Sequence, residues 1–326
     1  MLDGFVLKLA LVSLALLPSG LLAGFFVTSF RRRLGRDLIV LALGLGVIST
    51  FVAVPVELGL QYFLSQIPAV FSPLWGSFRE ASVIAAMPEE SIKFLLLMTI
   101  VRRHEDCDSG GDLFCSAVLI GLGFAAVENL FYLIDNGSHW LTLGLMRGAL
   151  AVPGHAIFGI MMGHGLAMAW RQSLDPSARR KWQALALLCP VIAHTLYDFP
   201  LMAIKAAAQP TAELMANPFL YVQLAVLIIA AAVGWFVARQ ELVRVYTSRH
   251  DLDLAQPTRR ALLPWRVVGT FMIIGALACI ALAAWLVDRG KPVGLFLALP
   301  SIYPLAFGWI MQMRPPKERV VATVPV

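Results

Sequence analysis

The stretch FVLKLALVSLALLPSGLLAGFFVTSFRRR, residues 5–33, decides the fold class. From Phe5 to Phe30 it is apolar over roughly the length a helix needs to cross a hydrocarbon core of about 30 Å. Helix is the expected form, because lipid offers backbone groups no partners except their own. Arg31, Arg32, Arg33 and Arg36 follow at once. A cleaved signal peptide carries its positive charge before a shorter apolar run, so this order predicts an uncleaved anchor with its N-terminus outside.

Working outward, the rest of the chain repeats the pattern. Of 326 residues, 59% are hydrophobic and 14% charged, with a mean hydropathy of +0.77; soluble proteins carry about 25% charge. Further apolar runs fall at about 38–64, 80–101, 113–135, 141–170, 182–205, 218–238, 265–287 and 293–312, making about nine candidate spans. The connections at Arg31 to Arg36, Arg102 and Arg103, Arg171 to Lys181, Arg239 to Arg266, and the tail with Arg314, Lys317 and Arg319 are basic. Those at about 65–79, 136–140, 206–217 and 288–292 are poor in basic residues, and the alternation predicts a cytoplasmic C-terminus in the cell membrane. The expectation is an all-α polytopic bundle, a single integral membrane domain over 1–326, with a polar core at about 80–205 and scaffold spans at about 218–312. The net charge of +6 sits at helix ends, where topology explains it and nucleic acid binding is not indicated. Cys107, Cys115, Cys189 and Cys279 form no C-x-x-C pair, so neither a disulfide framework nor a thiolate metal site is expected.

Ionisable residues inside spans are costly and usually mark function. Here they are read in spans three to six: Glu89, Glu90 and Lys93, then Glu128, then Arg147, His155 and His164, then His194 and Asp198. Counting from each basic end at about 1.5 Å per residue places Glu90, Glu128, His155 and His194 roughly 18–24 Å in, at one shared level. His194 and Asp198, four apart, share a helix face, as do Glu89 and Lys93, with Glu90 expected to point elsewhere. His155 shares its face with Gly159 and Gly163, a track that admits a close neighbour. Pro88, Pro153, Pro190 and Pro200 flank these residues, and the carbonyls they free predict a hydrated pocket. His164 and Arg147 read as structural, and a lone intramembrane His or a Glu89–Lys93 pair could equally be a helix-bridging contact. Convergence in depth is what favours function for Glu89, Glu90, Glu128, His155, His194 and Asp198.

Four motifs resemble the PrsW family of intramembrane metalloproteases. Pro88-Glu89-Glu90-Ser91-Ile92-Lys93 is similar to its E-E-x-x-K motif, and Phe124 to Glu128, with Tyr132, to its F-x-x-x-E motif. Gly154-His155-Ala156 through Gly163 resembles its H-A stretch, and His194 to Asp198 its H-x-x-x-D/N motif. The pattern is more distantly similar to the CAAX-protease and bacteriocin-processing group. The resemblance implies cleavage of a membrane-anchored, single-pass substrate of the anti-sigma-factor kind near its extracytoplasmic side. Two mechanisms remain open. In one, a zinc ion sits on His155, His194 and a carboxylate, Glu128 or Asp198, with Glu90 as general base. In the other there is no metal: Glu89 and Glu90 with His155 activate water while His194 and Asp198 hold the oxyanion. A proton-coupled transporter or a noncatalytic membrane scaffold are the competing classes.

Overall fold

The computed structural model describes residues 4–30, 34–66, 72–135, 139–206, 218–247, 259–289 and 299–312. These are helical almost throughout, and no strand occurs among them. In chain order the helices are α1 (Gly4–Phe30), α2 (Arg36–Ser65), α3 (Pro73–Arg79), a π-helical segment (Glu80–Ala86), α4 (Met87–Thr99), α5 (Gly110–Asp135), α6 (Trp140–Ala149), α7 (Ala151–Arg171), α8 (Pro176–Ala206), α9 (Pro218–Thr247), α10 (Arg259–Asp288) and α11 (Ile302–Gln312). Among the described residues seven helices are long and apolar enough to cross a membrane, with α6 and α7 together forming one of them.

The expected third span is a helical run interrupted by the π segment. Pro88 explains the interruption, since it has no N–H and its ring would strike the carbonyl four residues back in a regular helix. The wider π turn relieves that crowding, and Met87 N–H accordingly bonds to Ser82 O, five residues back. The fifth expected span breaks at Leu150 (φ −119°, ψ −56°) between α6 and α7. There Pro153 removes the bond to the carbonyl of Ala149. Of the expected ninth span, residues 293–298 lie outside the described residues, as do Arg31, Arg32, Arg33, Arg314, Lys317 and Arg319.

α5 and α7 form the centre, both buried along most of their length. The other helices bury one stripe and present the opposite face to lipid. On α2 the buried stripe runs Leu38, Ala42, Leu45, Gly46, Ser49, Thr50, Ala53, a helical period that leaves Val40, Ile48, Phe51 and Leu58 exposed to acyl chains. Small residues set the central spacing. A Cβ on Gly159 would stand 2.8 Å from Ala117 O, and one on Gly163 2.7 Å from Phe114 Cα. These two glycines therefore let α7 lie directly on α5, as their spacing along the helix implied.

Candidate functional site

At the start of α4 the side chains of Glu89, Glu90 and Lys93 are all buried. Lys93 Nζ donates to Glu89 Oε2 at 3.2 Å and to Glu90 Oε1 at 2.8 Å. The expectation that Glu90 points elsewhere is corrected here: positions three and four back flank Lys93 on the same face, and its long stem reaches both. From α8, His194 sets Nδ1 3.2 Å from Glu90 Oε1 and 4.0 Å from Glu89 Oε2. Its Nε2 lies 3.2 Å from Asp198 Oδ2, one turn on. From α7, His155 places Nδ1 3.4 Å from Lys93 Nζ and Nε2 2.9 Å from Glu128 Oε2 on α5. One connected network thus links α4, α5, α7 and α8.

Donor and acceptor rules assign protons within it. An ammonium only donates, so Nδ1 of His155 accepts from Lys93, and Nε2 carries the hydrogen that goes to Glu128. Both nitrogens of His194 face carboxylate oxygens, and a neutral imidazole has a single N–H. The His194, Glu90 and Asp198 trio therefore needs one proton beyond that of a neutral ring, or a cation in its place. Two buried phenylalanines wall the rings: Phe158 stacks on His194 at 4.7 Å and 21°, and Phe124 lies 3.7 Å beneath Lys93 Nζ. The two imidazoles stand 5.4 Å apart, nearly perpendicular.

Three placements were not read from the sequence. Arg147, taken as structural, holds Glu128 Oε2 at 2.7 Å, donates to Asn129 Oδ1 at 2.8 Å, and stacks 3.8 Å over Tyr132. Glu57 of α2 is half-buried and lies within electrostatic reach of Glu128, Lys93, His194 and Asp198. The signal was available, since Glu57 is an ionisable residue two positions after Pro55 inside the second apolar run. His164, nine residues and so half a turn from His155, turns away from the site and meets Glu241 of α9 at 2.7 Å. Arg171 and Arg244 share that buried carboxylate, and it was not singled out in the sequence.

Among the described residues, one group of three has metal-type ligand atoms all within 4.8 Å of one another: Glu89, Glu90 and His194. The donor chemistry fits a divalent ion of the zinc class, one imidazole with two carboxylates. Charge fits as well. Glu57, Glu89, Glu90, Glu128 and Asp198 outnumber Lys93 and Arg147 in a largely apolar bundle.

Comparison with known proteins now places the chain. The family described as PrsW family intramembrane metalloprotease matches residues 35–233, more than half of the sequence and every helix that contributes to the network. The chain belongs to the PrsW family. The resemblance read from the four motifs is thereby borne out. Similar relatives are each named Protease PrsW: 38% identity over 130 residues to that of Bacillus subtilis (40% of this chain, 57% of the relative); 31% over 163 residues to that of Halalkalibacterium halodurans (50% and 66%); and 27% over 197 residues to that of Clostridioides difficile (60% and 81%). The chain spans less than two thirds of the length of the first two. No solved structure matches it. Family membership and the seven apolar helices indicate a multi-pass membrane protein.

Proposed function

We propose that this chain is an intramembrane peptidase, hydrolysing a peptide bond of a membrane-anchored, single-pass substrate. The observation that carries the reading is the buried network joining Glu89, Glu90, Lys93, His194, Asp198, His155 and Glu128 across four helices of a PrsW family member. Peptide hydrolysis needs an activated water, oxyanion stabilisation and a proton for the leaving amine.

The Glu89 and Glu90 carboxylates take the proton of the attacking water. Lys93, touching both, keeps that pair from repelling itself apart and places positive charge beside the developing oxyanion. His194, poised between Glu90 and Asp198, passes a proton to the leaving nitrogen. His155, oriented by Lys93 and Glu128, donates Nε2–H, and Arg147 holds Glu128 for it. A zinc-like ion, if held by Glu89, Glu90 and His194, would supply Lewis acidity toward water and carbonyl in place of the proton carried on the ligating atoms, leaving the free carboxylate oxygens as base. His155 and His194 with a carboxylate, Glu128 or Asp198, form the alternative ligand set.

Glu128 and Asp198 keep 17% and 20% exposure, whereas Glu90 has 1%. Both partly exposed acids lie toward the ends of α5 and α8 remote from the basic connections. The site therefore opens away from the basic end, which the positive-inside rule assigns to the cytoplasm. This supports a cut near the extracytoplasmic side, and the family resemblance supports a substrate of the anti-sigma-factor kind.

The test is cleavage of single-pass reporters by purified protein in liposomes. Wild type is expected to cut, while Glu90→Gln and His194→Ala, still folded by circular dichroism though melting lower, lose activity by at least a hundredfold. Proton flux by wild type without cleavage of any reporter would overturn the peptidase reading in favour of transport.

A further inference from the structure

At the basic end of the bundle, remote from the acidic network, lies a cavity of about 250 Å³ lined by Met98, Arg102, Leu113, Leu166, Trp170 and Arg179. Arg102 sits in the single 3₁₀ turn after α4 and Arg179 in the first turn of α8. Neither guanidinium has a hydrogen-bond or ion-pair partner among the described residues, although that of Arg171, nearby in sequence, is committed to Glu241. Arg102 is exposed and Arg179 half-buried, so both guanidiniums stand at the open rim of the cavity, where an anion entering from the membrane surface meets them. Guanidinium presents paired N–H donors that match a phosphate oxyanion; the N-terminal N–H groups of α8 are already taken by Asp175, which accepts from Ser177 and Ala178 at 2.9 and 3.1 Å, so the arginines alone supply the anion's donors. The opposite wall is apolar, made by Met98, Leu113 and Leu166 from spanning helices. A ligand that meets both walls has an anionic phosphate and a hydrocarbon body.

We propose that this cavity binds the phosphate of an anionic membrane phospholipid. Arg102 follows the helix that carries Glu89, Glu90 and Lys93, and Arg179 begins the helix that carries His194 and Asp198. A bridging phosphate ties the near ends of those two helices and fixes their spacing at the distant network. The inference stands independently of the peptidase reading, because it concerns binding and stability.

The full-length protein in detergent micelles is titrated with phosphatidylglycerol, with phosphatidylcholine and with inorganic phosphate, while lipid retention is read by native mass spectrometry and the melting temperature is followed. Wild type is expected to retain phosphatidylglycerol over phosphatidylcholine and to melt higher with it. Loss of each arginine is expected to weaken binding roughly tenfold. The pair Arg102→Gln with Arg179→Gln therefore weakens it about a hundredfold, while Arg103→Gln with Arg180→Gln, outside the cavity, leaves it within about threefold. An equal loss in both pairs means diffuse surface charge and overturns the site. Displacement of the lipid by an equal concentration of inorganic phosphate assigns the cavity to a free anion and overturns the lipid. Should the double variant fail to fold, Arg102→Lys and Arg179→Lys keep the charge and remove the fork. Equal retention of both lipids by wild type refutes the proposal whatever the variants do.

Discussion

Lys93 touches two carboxylates and one imidazole at once, within a side chain that is 3% exposed. Its substitution is therefore a sharper probe of the network than loss of either acid. In Lys93→Met the stem survives and the charge does not, leaving Glu89 and Glu90 facing each other with no cation between them. Removing one partner of a buried ionic group costs about 3–5 kcal/mol, so Lys93→Met is expected to melt markedly lower and to lose reporter cleavage. A variant that melts like wild type would show that the two acids are not held by this ammonium. Cys107 gives a residue-scale check outside the spans. Burial, with Asp112 and Asp108 beside it, pushes its thiol up to about 12. The reactive form is the thiolate, so maleimide labelling at pH 8 is expected to be roughly a thousandfold slower than for a free cysteine, to rise as pH rises, and to become fast on unfolding. With the exposed Cys189 and Cys279 replaced by alanine, fast labelling of Cys107 in the folded protein at pH 8 would contradict that placement.

At the scale of elements, the seam between α5 and α7 rests on glycines with no room for a side chain. Gly159→Leu is expected to force the helices apart and destabilise by about 1–3 kcal/mol, while Gly20→Ala, which would meet nothing within 4 Å, melts like wild type. Thermal unfolding of both variants decides it. Helical period made much of this legible in advance: the pairing of Glu89 with Lys93, that of His194 with Asp198, and the close face below His155 all follow from spacings of four. What period could not give is register between helices. That His155 lands on Glu128 and Lys93, or that Glu57 turns toward the network, depends on how far one helix slides against the next, which small residues such as Gly46 and Gly123 fix through tertiary contact. The π segment was also hidden. Pro88 announced a break, but a proline in an apolar run is equally compatible with a kink, as Pro153 shows between α6 and α7.

For the whole molecule the governing fact is charge in a low-dielectric bundle. Five acids around the network face Lys93 and Arg147, and even one extra proton shared by His194 with its carboxylate neighbours leaves an excess of negative charge. Unpaired buried charge costs several kcal/mol per ion, so further protons or a divalent cation must balance it. A divalent ion held by Glu89, Glu90 and His194 would do so at the point where the carboxylates are densest. His155 has no place in that group of three: its Nδ1 faces the Lys93 ammonium at 3.4 Å, a cation, where Nδ1 of His194 faces the carboxylates of Glu90 and Glu89. Metal content per chain, measured on purified protein together with the melting temperature, is therefore expected to fall in Glu89→Gln and His194→Ala, to persist in His155→Ala, and chelation is expected to lower the melting temperature of wild type. Loss of metal in His155→Ala with retention in Glu89→Gln would move the ion to His155, His194 and Glu128 or Asp198. Stoichiometric absence of metal from wild type, with a melting temperature indifferent to chelator, would leave protons alone to balance the site, and Glu89 and Glu90 would then be expected to share one between them.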